Sequence, residues 1–177
     1  MSIFHSWRSL AAACGAGLLL AACTPQYDWR EVHGSNAPFT VLLPAKPATL
    51  ARPVNLNGAQ VTMTMTAAEV GEVAFAVGSA ELADAATAST ALEAMKTAMV
   101  NNIGGTIRQE KTSASSGGRT IDLEAGGAPS ARNGTPPLLV ARFVMRERRV
   151  YQAIVLGPEK AVSREAVDTF FTSFKVD

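Results

Sequence analysis

The sequence predicts an α+β domain in which an antiparallel sheet of about six to seven strands is flanked by two helices. Residues 60–67 alternate between apolar and polar side chains, which is typical of a half-buried strand. Two other segments, which begin at Thr90 and Ser163, place apolar residues at helical spacing. The predicted order is a run of strands, a helix, four strands and a second helix. Adjacent strands with so few helices favour an antiparallel sheet over a doubly wound parallel one.

Three strands are predicted before the first helix, at residues 39–43, 60–67 and 73–80. The first strand ends at Pro44, because proline cannot donate a hydrogen bond to a ladder. Asn57-Gly58 predicts a tight turn between two extended segments. In the second strand the threonines share one face and the apolar residues share the other, which carries Val61, Met63 and Met65.

The first helix is predicted to begin at Thr90, where Thr90-Ala91-Leu92-Glu93 matches the capping-box pattern. Apolar residues at intervals of three and four form one stripe along this helix: Leu92, Met95, Met99 and Ile103. Gly104-Gly105 is predicted to end the helix, since glycine favours the left-handed cap conformation.

Four strands are predicted after this helix, at residues 106–111, 119–125, 138–145 and 150–156. A Ser/Gly loop at residues 113–118 joins the first pair, and a second loop covers residues 126–137. Residues 146–149 turn the last pair into a tight hairpin. Ser163 is predicted to cap the second helix. The apolar face of that helix carries Val167, Phe170, Phe171 and Phe174.

The N-terminal residues 1–22 have the layout of a signal peptide, with one cation, Arg8, before a short apolar segment. This segment is shorter than the roughly 20 residues that a transmembrane helix needs. Leu20-Ala21-Ala22-Cys23 resembles the bacterial lipobox. The resemblance implies acylation of the Cys23 thiol, cleavage before Cys23 and membrane anchoring by several acyl chains. The alternative is an ordinary secretory peptide that is cleaved near Ala22.

The sequence divides into three parts, which are the signal peptide, a lipidated tether at residues 23–38 and one α+β domain at residues 39–177. Part of the tether is expected to pack on the domain through Tyr27 and Trp29. Thr24 follows the lipobox cysteine, where lipoproteins retained at the inner membrane commonly have Asp. The predicted location is therefore the cell envelope, at the outer membrane and facing the periplasm.

Three short motifs of the predicted domain resemble the PsbP-like group, the α-β-α sandwich of an extrinsic photosystem II subunit and its bacterial relatives. These are Phe39-x-Val41-x-Leu43-Pro44-x-Lys46-Pro47, Arg149-x-Tyr151 in a strand that ends at Gly157, and Phe170-Phe171-x-Ser173-Phe174. They frame almost the whole domain. The resemblance implies the sandwich fold and accessory or scaffolding roles in larger assemblies, and it transfers no catalytic residue.

Few residues of this chain could carry chemistry. The cysteines are Cys14 and Cys23, and the only histidine after the signal peptide is His33. A zinc site with the usual nitrogen and sulfur ligands is therefore excluded, and no cofactor or catalytic residue is predicted. Removal of residues 1–22 would take one cation and no acid from 16 basic and 15 acidic side chains. A formally neutral domain is not expected to bind nucleic acid.

The strongest predicted surface feature is a basic cluster that contains Arg142, Arg146, Arg148 and Arg149. One interpretation is a contact for anionic headgroups, lipopolysaccharide phosphates or an acidic envelope partner. The other is a solvated edge that discourages strand-to-strand aggregation. The paired carboxylates Asp122 and Glu124 are interpreted as a solvated strand face.

Three functions are compatible with these patterns. The first, and favoured, function is a non-enzymatic accessory module that docks on another envelope protein. The alternative is a small hydrophobic ligand or lipid-binding module, with a pocket lined by methionines and by Phe170, Phe171 or Phe174. The third is an enzyme that uses carboxylates or serines without a recognisable motif.

Overall fold

A computed structural model describes residues 26–115, 118–129 and 134–176. The predicted signal peptide and the lipobox with Cys23 lie outside the described residues. The described strands are β1 Arg30–His33, β2 Phe39–Leu43, β3 Ala48–Leu56, β4 Ala59–Val70, β5 Val73–Glu81, β6 Thr106–Ser115, β7 Gly118–Gly126, β8 Pro137–Arg146, β9 Arg149–Pro158 and β10 Lys175–Val176. The helices are α1 Ala85–Asn102 and α2 Arg164–Ser173, with a 3₁₀ turn at Glu159–Ala161.

Seven strands form one sheet in the order β3-β4-β5-β9-β8-β7-β6, and all neighbours are antiparallel. A second sheet of three strands has the order β1-β2-β10. The predicted α+β class and antiparallel sheet are confirmed. The small sheet was not predicted, because β1 and β10 have only four and two residues, which is too short for an alternating pattern to be detected.

One face of the large sheet is covered by α1. Leu92 and Ala88 of this helix have no exposed surface, and they pack on inward-facing residues of β7, β8 and β9. The inward-facing residues of β7 are Ile121, Leu123 and Ala125. Met63, Met65 and Met95 belong to the same core, so these methionines fill the space between helix and sheet.

The other face of the large sheet is covered by the small sheet and α2. Phe39, Val41 and Leu43 of β2 are buried in this second core together with Phe170 of α2. Phe170 packs edge-on against Phe75 of β5, with 5.6 Å between the ring centroids. The molecule therefore has three layers, with the large sheet in the middle.

The tether contributes to this second core. Residues Arg30–His33 pair with β2 in an antiparallel ladder, and the Trp29 ring lies 6.3 Å from that of Phe75. Tyr27 packs against Trp29 at 5.6 Å. The expected packing of part of the tether on the domain through Tyr27 and Trp29 is confirmed.

The predicted start of the first helix at Thr90 is wrong. The helix begins at Ala85, and the carboxylate of Asp84 accepts a 2.7 Å hydrogen bond from the Thr87 amide. Thr90 lies inside the helix and donates its hydroxyl to the Ala86 carbonyl at 3.2 Å. The first turn has small residues and no apolar stripe, so helical spacing could not be detected there from the sequence. The predicted cap at Ser163 is confirmed, since its hydroxyl accepts from the Ala166 amide.

The tight turns follow the sequence signals. Asn57 and Gly58 have φ angles of 52° and 92°, as a two-residue hairpin with the favoured twist requires. Gly104, with φ 55°, ends α1 as predicted. β6 continues to Ser115 and β7 begins at Gly118, so the connection between them is shorter than the predicted loop at residues 113–118.

Candidate functional site

Three of the predicted arginines lie at the tight turn between β8 and β9, which we call the arginine hairpin (Arg146–Arg149). Arg146 pairs with Arg149 at the end of the ladder. Glu147 adopts a left-handed φ of 53° at the turn. Glu81 at the end of the neighbouring β5 accepts from Arg148 at 2.6 Å and from Arg149 at 3.2 Å. One carboxylate thus partly neutralises two guanidinium groups.

Arg146 differs from its two neighbours. Its guanidinium lies 3.5 Å from the Ser115 hydroxyl, and it pairs with no carboxylate in the described part of the chain. The hairpin therefore keeps an excess of positive charge, which is smaller than the sequence indicated.

Arg142 is not part of the arginine hairpin. Its Nε donates to Asp122 at 2.6 Å, and its Nη1 donates to the Phe171 carbonyl of α2 at 3.1 Å. The guanidinium also lies 5.6 Å from the centroid of the Phe171 ring. Register explains this arrangement, because Asp122 and Arg142 are directly opposite on β7 and β8. Arg142 therefore fixes α2 on the sheet, and its role as a partner contact stays a prediction.

A second ion network joins α2 and the 3₁₀ turn to the sheet. Glu124 of β7 accepts from Arg164 at 2.6 Å. Glu159 accepts from both terminal nitrogens of Arg108, one of them at 2.9 Å. The Glu124 side chain is only 19% exposed, so the predicted solvated face of Asp122 and Glu124 is wrong at Glu124. The hydrogen bond from Arg164 holds the pKa of Glu124 below its ordinary value, and burial acts in the opposite direction.

This network predicts acid sensitivity. A carboxyl with a lowered folded-state pKa stabilises the fold above its ordinary pKa of 4.5, and it loses that stabilisation as the pH falls through the folded value. Glu124→Gln is expected to cost about 1 kcal/mol at neutral pH and to flatten the loss of stability as the pH falls below the ordinary carboxyl value. The melting temperature over this pH series measures both effects. The matched control is Glu69→Gln at an exposed position. If Glu124→Gln loses stability with acid as steeply as the unaltered chain does, the prediction is contradicted.

A groove of about 750 Å³ runs between α2 and strands β6–β8. Its lining includes both signs of charge, from Arg108, Lys111, Asp122, Arg142, Arg164 and Asp168. All three arginines already have carboxylate partners, since Arg142 pairs with Asp122, Arg164 with Glu124 and Arg108 with Glu159. The groove therefore offers a ligand few free charges, and its polar residues chiefly hold α2 in place.

Other predicted candidates lie elsewhere. His33 is exposed on β1, where its ring nitrogens contact Glu31 at 3.1 Å and the Thr40 hydroxyl at 3.2 Å. No group of three or more His, Cys, Asp or Glu side chains that could hold a metal occurs within residues 26–115, 118–129 and 134–176. Phe170 and Phe174 are buried in the second core, and Phe171 lines the groove between α2 and the sheet.

The arginine hairpin lies far from the place where the chain enters the fold. Trp29 packs on Phe75, which is opposite Val155 on β9. From Val155 to Arg149 the strand covers about 20 Å. β1 runs antiparallel to β2, so the residues before Arg30 continue away from the hairpin. The entry point and the arginine hairpin are at opposite ends of the large sheet.

The fold and these contacts define an α+β domain of three layers with a basic hairpin at one end. No protein family matches the chain, and a search of curated proteins finds no match. Within the ranges that the structure describes, no helix has the length and apolar content that crossing a membrane requires.

Proposed function

We propose that this chain is an exported bacterial lipoprotein, held by acyl groups on Cys23, whose domain is a non-enzymatic accessory module of the cell envelope. The observation that carries the proposal is the separation between the chain entry at Tyr27 and the arginine hairpin. The hairpin presents cations at the end of the domain that is remote from the proposed anchor.

Distance bears on which anionic group the arginines would contact. Cys23 precedes Tyr27 by four residues, which span at most about 14 Å when fully extended. An anchor on Cys23 would therefore hold the Trp29 end of the domain close to the bilayer. The arginine hairpin would then face away from the anchoring membrane, since about 20 Å of β9 separates the Trp29 end of the domain from the hairpin. This favours an acidic protein partner over the headgroups of that membrane.

The finer assignment to the PsbP-like group is part of the same proposal. Residues of all three motifs contact each other in the second core. The Phe39 ring lies 6.5 Å from that of Tyr151 and 6.3 Å from that of Phe174. The three motifs lie far apart in the sequence yet meet in one cluster, which supports a shared architecture. Leu42 and Ser173, which are 131 positions apart, are joined by a direct hydrogen bond in the same region. Thr24 supports an outer-membrane location.

Cross-linking in intact cells tests the partner. The unaltered chain is expected to capture a reproducible set of envelope proteins. Replacement of Arg146, Arg148 and Arg149 by alanine is expected to lower capture at least about tenfold, because the loss of several interfacial cations commonly costs more than 1.4 kcal/mol. A matched variant replaces three exposed cations elsewhere, Arg52, Lys111 and Lys175, by alanine. Full capture by the hairpin variant would contradict the proposed docking site.

The anchor is tested separately with Cys23→Ser. Labelled palmitate is expected to enter the unaltered chain and not the variant, and the variant is expected to leave the membrane fraction. Membrane association and label retained by Cys23→Ser would contradict lipidation at this position. Because this assay does not depend on the arginines, the anchor and the docking site can fail independently.

The ligand-binding alternative is favoured by one observation. An open cavity of about 550 Å³ lies at the end of α1 and is lined in part by Ala74, Ile103 and Leu156. This volume is within the roughly 300–1,000 Å³ of small-molecule sites. Native mass spectrometry of the chain purified from cells would reveal a retained lipid or other apolar ligand there.

A further inference from the structure

A small polar cleft lies beside the arginine hairpin, between the β1–β2 connection and the large sheet. Its volume is about 210 Å³. It is lined by side chains of Asn36, Thr62, Thr64, Ser79, Glu81 and Arg149. Thr64 of β4 and Ser79 of β5 are directly opposite each other in the ladder, so the floor of the cleft carries hydroxyl groups at adjacent positions.

Ser79 is the unusual member of this set. It is 5% exposed, and its hydroxyl makes no hydrogen bond to any residue in the described part of the chain. Thr64, with similar burial, accepts a 3.1 Å hydrogen bond from the Asn36 amide. The Ser79 oxygen is not one of the fully buried side-chain polar atoms without a partner in the described residues, so it remains open to the cleft. The Ser79 hydroxyl, which lines the cleft, is therefore available to a bound molecule.

The size of the cleft limits the occupant. At about 30 Å³ for each water in the liquid, 210 Å³ is far more than one structural water needs. It is also below the roughly 300–1,000 Å³ of sites for drug-sized ligands. A single small ring fits these limits.

The lining chemistry indicates a neutral, hydroxylated occupant. Hydroxyl groups and the Asn36 amide can both donate and accept hydrogen bonds. Glu81 and Arg149 at the rim are already paired with each other at 3.2 Å. A charged ligand would gain little attraction from these two groups, because each is already matched by its counter-charge. A polyol can instead donate to the carboxylate and accept from the guanidinium while the pair stays intact.

We propose that this cleft, formed by Ser79, Thr64, Thr62 and Asn36 with the Glu81–Arg149 pair at its rim, binds a single neutral sugar ring. The site is distinct from the lipid anchor and from the 550 Å³ cavity. It adds a carbohydrate contact at the same end of the domain as the arginine hairpin.

Saturation-transfer NMR with the purified full chain tests the site, in a detergent without a sugar headgroup. Glucose and N-acetylglucosamine are the probes, and glucuronate is the anionic comparison. Ser79→Ala removes one hydrogen bond to the ligand and is expected to weaken binding by roughly three- to tenfold. Ser79→Val adds a methyl group within the cleft and is expected to abolish binding. Thr66→Val is the control, since Thr66 is buried on the same face but pairs with Thr49 at 2.9 Å.

Thermal unfolding of the same variants gives a second readout. Without ligand, Ser79→Ala is expected to leave the melting temperature unchanged or higher, because it removes an unpaired hydroxyl. Thr66→Val is expected to lower it. The proposal is overturned if neither sugar binds, if glucuronate binds more tightly than glucose, or if Ser79→Val retains binding. A clear drop in melting temperature for Ser79→Ala would also overturn it, by showing that the hydroxyl is a structural partner.

Discussion

Replacement of Phe170 by alanine is expected to remove about 3–5 kcal/mol from the free energy of unfolding. The Phe170 side chain has no exposed surface. Its ring packs edge-on against Phe75 at 5.6 Å and against Phe171 at 5.1 Å. Alanine would leave a cavity at the contact between α2 and the large sheet, where two rigid layers meet and cannot collapse to fill it.

Urea unfolding measures this loss. Trp29 packs on Phe75 and provides a fluorescence signal from the same core. Leu50→Ala is the control, since Leu50 is 64% exposed and its loss is expected to change stability by less than about 0.5 kcal/mol. A Phe170→Ala loss similar to that of the control would mean that α2 contributes little to the fold.

Replacement of Gly34 by alanine is expected to disrupt the connection between β1 and β2. A Cβ atom at Gly34 would lie 2.1 Å from the Ala37 carbonyl oxygen and 2.5 Å from the Phe39 ring. The backbone oxygen cannot move without changing the turn, and the Phe39 ring is held in the second core. The expected cost is about 1–3 kcal/mol or more, and it should be concentrated in the small sheet.

Hydrogen exchange resolves this localised effect. Amides of β1 and β2 are expected to lose protection in Gly34→Ala, while amides of β8 and β9 keep it. Ser35→Ala is the neighbouring control, because Ser35 is exposed in the same turn. Equal loss of protection in all strands would show that the small sheet and the large sheet unfold as one unit.

Most of the large sheet could be predicted from sequence, although β3 was expected only as an extended segment before the Asn57-Gly58 turn. The alternation at residues 60–67 and the Asn57-Gly58 turn are local signals, and both match the structure. The start of α1 could not be predicted, because Asp84 and Thr90 are both acceptable caps and only the packing of Ala88 and Ala91 decides between them. β10 has two residues and exists only because β2 is already in place.

The candidate site could be predicted less well, because charge partners depend on register. The arginines are visible in the sequence, but the pairing of Arg142 with Asp122 follows from the alignment of β7 and β8. The polar cleft was missed for a different reason. The alternating pattern of β4 places Thr64 on a polar face. That face is buried only because the β1–β2 connection packs over it.

The small sheet also determines when the domain can fold. β2 lies between β1 and β10, and the Leu42 amide donates to the Ser173 hydroxyl across 131 positions. Synthesis proceeds from the N-terminus. Val41 and Leu43 are therefore made well before α2 and β10, the elements that bury them. The second core cannot close until α2 and β10 have been made. If the chain is exported as proposed, closure of this core has to wait until both elements have been synthesised.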